Sequence, residues 1–218
     1  MKNILLNIKK NYQVRLAVKE DSNEITKLEE QVFNEDSHSV SFNTELKYEN
    51  KYHLLLVRNI IQNNNRIIKT VKKLFKFSSI FSIRFNQSIE DDFISGFIGI
   101  WFYPKESYIS TFAVREFERG KGLGELLLIY AIVSVINNGG ESMSLEVRQS
   151  NFQAIELYKK FGFHKVGIRK FYYSNNKEDA AIMTVSDINT FDYKNRILYL
   201  INNHSDKWGM LDKLNMLS

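Results

Sequence analysis

From Leu126 to Ile136 the chain is apolar apart from Ser134. A stretch of that length falls short of the roughly 20 residues needed to cross a bilayer. It reads instead as a helix over Leu123–Asn137, apolar nearly all round, with both faces covered by other parts of the fold. Aliphatic, strand-like stretches flank it at Ser107–Val114 and Met143–Arg148, which completes a strand–helix–strand unit of ordinary length. Further strands are expected at Val14–Val18, His53–Arg58, Ile94–Phe102, Lys165–Tyr173 and Ala180–Val185. Asp21-Ser-Asn-Glu24 has the form of a capping box, followed by Ile25, Leu28 and Val32 at helical spacing. Other helices are expected at Asn151–Phe161 and, with a weaker pattern, Ser41–Tyr48. Strands alternating with helices predict an α/β or α+β domain with some parallel pairing.

The 218 residues contain no cysteine, which excludes disulfides, thiolate metal sites and a cysteine nucleophile together. The absence fits a reducing compartment. Met1–Asn11 lacks an apolar core long enough for a signal peptide, so a cytoplasmic protein with no membrane span is expected. The net charge of +5 is unevenly placed. Arg66, Lys69, Lys72, Lys73, Lys76 and Arg84 form a stretch without an acidic residue, and the remainder of the chain is close to neutral.

Between the central strand and helix the sequence runs Arg119-Gly120-Lys121-Gly122-Leu123-Gly124. Alternating glycines let the backbone turn sharply and present successive N–H groups. With the helix N-terminus they make an anion site suited to a phosphate or pyrophosphate, and Arg119 and Lys121 add charge. A Walker loop would end in Gly-Lys-Ser/Thr, and a dinucleotide fingerprint would space its glycines G-x-G-x-x-G; neither pattern is present. On these residues alone, a tight turn without a ligand is the other reading.

On the next strand, Glu146 and Arg148 share one face. Ser150-Asn-Phe-Gln153 has the form of a capping box, Gly162 is placed to end the helix, and Lys159 and Lys160 fill its last turn. Asn151, Ala154, Ile155 and Tyr158 line one side of that helix. A carboxylate and a phenol so placed can act as base and acid. Spacing alone favours the plainer reading, in which Glu146 pairs with Arg148 and Tyr158 fills core space.

Arg119-x-x-Gly122-x-Gly124 resembles the arginine–glycine signature of the GNAT superfamily. The string from Leu145-Glu-Val-Arg-Gln-Ser-Asn151 through Ala154-Ile155, Leu157-Tyr158, Phe161-Gly162-Phe163, Gly167-Ile-Arg169, Tyr172-Tyr173 and Glu178-Asp179-Ala180 to Ile182-Met183 is more specific. It resembles the bacterial ribosomal-protein alanine N-acetyltransferases, the RimI type, within that superfamily. The resemblance covers about residues 14–185. It implies a central mixed, mostly antiparallel sheet flanked by helices, with a splayed parallel strand pair forming the acetyl-CoA cleft. It also implies acetyl-CoA as cosubstrate, no metal, and a protein N-terminus, that of a ribosomal protein beginning with alanine, as acceptor.

Carried over residue by residue, the resemblance makes Glu146 the general base and Tyr158 the acid for the departing thiolate. Gly120, Lys121, Gly122, Leu123 and Gly124 with Arg119 would hold the pyrophosphate, Asn151 and Tyr158 would contact coenzyme A, and Tyr172 and Tyr173 would line the peptide slot. An N-terminal amine with a pKa near ~8 must lose a proton before it attacks. The backbone of Phe112, Ala113 and Val114 would supply the donor for the thioester oxygen. Without a cysteine, direct transfer in a ternary complex is expected.

Two segments depart from that pattern. A basic insertion occupies 59–92, where Lys69, Lys72, Lys73 and Lys76 fall on one face of an amphipathic helix. It suits contact with rRNA or another anionic surface, or else forms a solvated face. The C-terminal extension 186–218 has Tyr193, Ile197, Leu200 and Ile201 on one stripe, which predicts a helix docked on the domain with Trp208 near its end. Two other functions fit the same residues: acetylation of a small amine or lysine side chain, and a basic RNA- or ribosome-binding module without turnover. The sequence leaves the oligomeric state open.

Overall fold

The computed structural model describes residues 6–7, 12–33, 51–59 and 93–208. The helix expected at Ser41–Tyr48 and the lysine face of the basic insertion lie outside them. Among the described residues eight strands form one sheet: β1 (Leu6–Asn7), β2 (Tyr12–Leu16), β3 (Tyr52–Asn59), β4 (Phe93–Phe102), β5 (Glu106–Val114), β6 (Ser142–Arg148), β7 (His164–Arg169) and β8 (Ala180–Val185). Their order is β1-β2-β3-β4-β5-β6-β8-β7. Among the described residues only β5 and β6 pair in parallel; every other neighbouring pair is antiparallel. The expected mixed, mostly antiparallel sheet is therefore the fold.

Helix α1 (Ser22–Phe33) covers one face, burying Ile25 and Leu28 against Tyr52, Leu54, Leu56, Ile94, Phe97 and Ala113. Helix α2 (Leu123–Asn137) lies on the other face, where α3 (Phe152–Lys160) and α4 (Phe191–Trp208) also pack. Eleven of the 15 residues of α2 are buried, as its all-round apolar sequence requires. Each of its enclosed leucines and isoleucines contributes roughly 1.5–3 kcal/mol of burial. That anchorage fixes the start of α2, where the glycine loop sits.

The feature that shapes the functional region is a bulge in β5. Gly99 faces Thr111 and Ile100 faces Ile109, so Ser110 is an extra residue in the ladder. Parallel pairing with β6 ends at the same level, with Ile109 opposite Leu145, although both strands run on. A bulge bends and twists its strand. β5 accordingly parts from β6, and the backbone edges of 110–114 and 146–148 face each other across a wedge. The bulge also reverses which side chains meet which layer. Ile109 lies in the α2 core, whereas beyond Ser110 it is Phe112 and Val114 that turn to that core, and Ala113 joins the α1 side.

Several local expectations are corrected. The strand expected at Val14–Val18 is Tyr12–Leu16, and the one expected to reach Tyr173 ends at Arg169. Phe171 adopts a φ of 54°, a left-handed conformation that no strand continues through, so Tyr172 and Tyr173 lie in a loop. The box at Asp21–Glu24 does not form. Asp21 accepts from the Arg15 guanidinium at 2.6 and 2.7 Å and from the Val18 amide at 2.8 Å, and Glu24 reaches Arg58 and the Ile94 amide. Burial raises the Asp21 pKa, but Arg15, the Val18 amide and Arg58 outweigh it and hold it below the usual value. The box at Ser150–Gln153 is replaced by a single cap: the Asn151 side-chain oxygen accepts from the Ala154 amide at 3.1 Å.

Candidate active site

The glycine loop leaves β5 through a short 3-10 turn, Glu116–Glu118, and enters α2 at Gly122. Gly120 and Gly122 have φ of 73° and 81°, which an L side chain adopts only under strain. Gly124 packs close to Leu157, Phe112 and Val114, where a Cβ would lie 3.5 to 3.9 Å from them. The N–H groups of Leu123, Gly124 and Glu125 open the helix and have no intrahelical acceptor. Together with the positive end of a 15-residue helix, they form a cradle that fits a pyrophosphate.

The flanking charges are less available than their sequence positions suggest. Lys121 Nζ bonds to the Glu118 carboxylate at 3.0 Å, and buried Glu118 also accepts from the Tyr12 hydroxyl. Arg119 turns its Nε back to the Val114 carbonyl at 3.3 Å, leaving its guanidinium exposed at the mouth of the wedge. An anion held at this loop would therefore meet backbone amides first. Phe112, Val114 and Ala113 direct their side chains into the packed layers, so their contribution to a ligand is confined to the backbone along the parted edge of β5.

On β6, Glu146 is 7% exposed and points to the face opposite α2. Tyr108 donates its hydroxyl to the Glu146 carboxylate, and Arg169 Nη2 lies 3.3 Å from the same group. Tyr108 and Arg169 thus both hold Glu146. Arg148, two residues further along β6, turns toward the loop before β8. It reaches Glu178 at 2.9 Å, Asn176 at 3.1 Å and Asn175 at 3.2 Å, and stacks 3.7 Å over the Tyr173 ring. Burial works against ionisation of Glu178, but hydrogen bonds from Ser150, Arg148 and Asn176 outweigh it and bring its pKa to about 2. The Tyr172–Tyr173 loop is thus pinned beside β6 by a carboxylate–guanidinium–aromatic stack.

Tyr158 is buried on α3, with its ring 6.2 Å from Phe112 and 5.8 Å from Phe163. Burial, reinforced by Tyr173, raises its pKa well above the ordinary 10.0, so the phenol stays protonated at neutral pH. Tyr173 is pushed up to about 12, by burial first; Arg148 opposes the rise, while Tyr172, Glu178 and Glu146 add to it. Tyr158, Tyr173 and Glu146 therefore belong to one electrostatic neighbourhood. Tyr172 and Tyr173 meet edge to face at 5.2 Å, with Arg169 over Tyr172 at 5.2 Å. Asn151 uses its oxygen as a helix cap, which leaves its amide NH2 as the group that a ligand could engage.

Two groups escaped the sequence reading. Strict alternation from Ser107 would place Tyr108 beside Phe112, and the bulge at Ser110 carries it to the Glu146 face instead. The second group is on α4. Its Ile197–Leu200 stripe continues at helical spacing to His204, whose ring Nε2 lies 3.1 Å from the Gly122 carbonyl, and Trp208 rests against Gly122. The periodicity held that signal, but not the destination. Among the described residues no cluster of three His, Asp or Glu could hold a metal, and no helix is long and apolar enough to cross a membrane.

Among the described residues the sheet parts at its one parallel pair, with the N-terminus of α2 at the opening. Residues 69–163 match the Acetyltransferase (GNAT) family. The chain is 42% identical over 97 residues to a Bacillus subtilis protein provisionally named a ribosomal protein bS18-alanine N-acetyltransferase, covering 44% of this chain and 64% of that one. A Haemophilus influenzae protein named for the same activity is 38% identical over 98 residues, 44% of this chain and 66% of its own. The chain thus spans just under two thirds of the length of these relatives. Among solved structures, the Escherichia coli ribosomal-protein-S18-alanine N-acetyltransferase has a TM-score of 0.59 at 21% identity, covering 81% of this chain and 94% of that one. An Elizabethkingia anophelis GNAT acetyltransferase with acetyl-CoA bound superposes with a TM-score of 0.55 at 17% identity, covering 82% and 99%. Those two likenesses establish the fold.

Proposed function

We propose that this chain is an acetyl-CoA-dependent N-acetyltransferase acting on the α-amine of a protein N-terminus, a ribosomal protein beginning with alanine. The observation that carries the proposal is the wedge after Ile109 and Leu145, with an amide cradle at its mouth and the carboxylate of Glu146 held on the opposite face. The names of the relatives support the acceptor class.

Acetyl-CoA would supply an activated acetyl thioester. The amides of Leu123, Gly124 and Glu125 would bind its pyrophosphate, with Arg119 at the rim and the Asn151 amide alongside. Glu146 would take a proton from the incoming ammonium group, whose pKa near ~8 leaves much of it protonated at neutral pH. Tyr108 and Arg169 hold that carboxylate in place. A backbone N–H on the parted edge of β5 would face the carbonyl oxygen as it gains charge. Tyr158, kept protonated by burial, would give its phenolic proton to the departing sulfur. Tyr172 and Tyr173 would flank the first residues of the acceptor.

The test is acetyl transfer from acetyl-CoA to peptides differing in their first residue, read by mass spectrometry of the α-amine. Alanine-starting peptides should be the best acceptors. Preference for a polyamine or a lysine side chain would remove the N-terminal assignment. Coenzyme A binding without transfer to any amine would favour a binding module.

A further inference from the structure

We propose that His204 is a positioning residue for the anion cradle, which makes α4 part of the cofactor site. The inference rests on the reading of that cradle as the coenzyme A site. α4 runs between two helix ends. At its start, the Tyr193 hydroxyl donates to the Phe161 carbonyl at 2.8 Å and Arg196 donates to the Lys160 carbonyl at 2.9 Å, satisfying carbonyls left over at the C-terminus of α3. Ile197 and Leu200 are buried in the core between. Near its far end, His204, 3% exposed, lies with Nε2 3.1 Å from the Gly122 carbonyl.

A carbonyl accepts, so Nε2 carries the proton and donates, and Nδ1 is the bare nitrogen of a neutral ring. Burial favours that state: desolvation lowers the His204 pKa, against smaller upward pulls from the Gly122 carbonyl and Glu125. Nδ1 is itself buried and finds no hydrogen-bond partner among the described residues. The ring is oriented by this one bond.

The geometry of the acceptor gives the bond its consequence. Gly122 O also accepts from the Leu126 amide at 2.9 Å, so two donors hold the carbonyl. The peptide plane is rigid and trans, which sets the carbonyl of residue 122 and the N–H of Leu123 in opposite directions. Fixing the carbonyl therefore aims the Leu123 N–H, the first donor of the cradle. Gly122 sits at a φ of 81°, where glycine has the widest freedom to swing that plane. His204 removes the freedom at the point where an amide must meet a phosphate oxygen.

The experiment compares wild type, His204→Leu and His204→Gln as full chains, with far-UV circular dichroism to establish that each is folded. Coenzyme A affinity is read by calorimetry, and KM is measured separately for acetyl-CoA and for an alanine-starting peptide. His204→Leu should weaken coenzyme A and raise the acetyl-CoA KM about fivefold to tenfold, leaving the peptide KM within about twofold. His204→Gln, whose amide can donate to the same carbonyl, should return affinity to within about twofold of wild type. Unchanged affinity in His204→Leu overturns the inference, and so does a glutamine variant as weak as the leucine one. A wild type that binds no coenzyme A would instead remove the reading of the cradle, and the inference with it.

Discussion

The contact between Gly122 and Trp208 allows a prediction that is independent of catalysis. Replacing Gly122 by alanine has two costs. A left-handed residue with a Cβ is destabilised by about 1–2 kcal/mol. The new Cβ would also lie 2.6 Å from Trp208 Nε1, 2.7 Å from Cε2 and 2.8 Å from Cδ1, so the indole has to shift or α4 has to lift. Overpacking of that kind costs about 1–3 kcal/mol. In a Trp208→Ala background the indole is gone and only the conformational cost remains. Urea unfolding of the four proteins of this cycle should give a coupling of about 1–3 kcal/mol, with Gly122→Ala milder in the Trp208→Ala background. Gly120→Ala provides the control: it has a φ of 73° but nothing within 4 Å of its Cβ, so its cost should be the same with or without Trp208. Additivity of Gly122→Ala and Trp208→Ala within about 0.5 kcal/mol would refute the packing of α4 on the loop.

Two further predictions concern the ionisable groups. Tyr158→Phe should lower kcat by about 100-fold with little change in coenzyme A affinity. Because the Tyr158 pKa is raised above 10.0, the wild-type rate should show no loss from tyrosine ionisation up to about that pH; a tyrosine limb well below it would contradict the burial argument. Glu178 has its pKa depressed from 4.5 to about 2, so its stabilising contribution is full above 4.5 and is lost as the pH falls toward 2. Glu178→Gln should therefore be less stable than wild type near neutral pH and converge with it in acid, as followed by thermal unfolding across pH.

What could be read from residues alone was the part with strong periodicity. The all-apolar α2, its flanking strands and the glycine loop between them follow from local pattern, because burial on every side leaves little choice of structure. The two capping boxes gave way to other partners. Asp21 turned to Arg15 and the Val18 amide just before it and to Arg58 on β3, while the Ser150 amide went to Glu178, a partner that no local window contains. Tyr108 was hidden by a one-residue bulge, a feature of the pairing of β4 with β5 and not of either strand's sequence. The role of α4 lay further out still. Its stripe was legible, but only the folded chain brings His204 to a carbonyl 82 positions away.

The central claim is that Glu146 removes a proton from an N-terminal amine while acetyl-CoA sits in the amide cradle. The most direct measurement is single-turnover acetyl transfer to an alanine-starting peptide by wild type and Glu146→Gln, with coenzyme A affinity determined in parallel. The account predicts α-amine acetylation by wild type, a rate at least about 100-fold lower in Glu146→Gln, and the same coenzyme A affinity in both. Transfer by Glu146→Gln at the wild-type rate would contradict it.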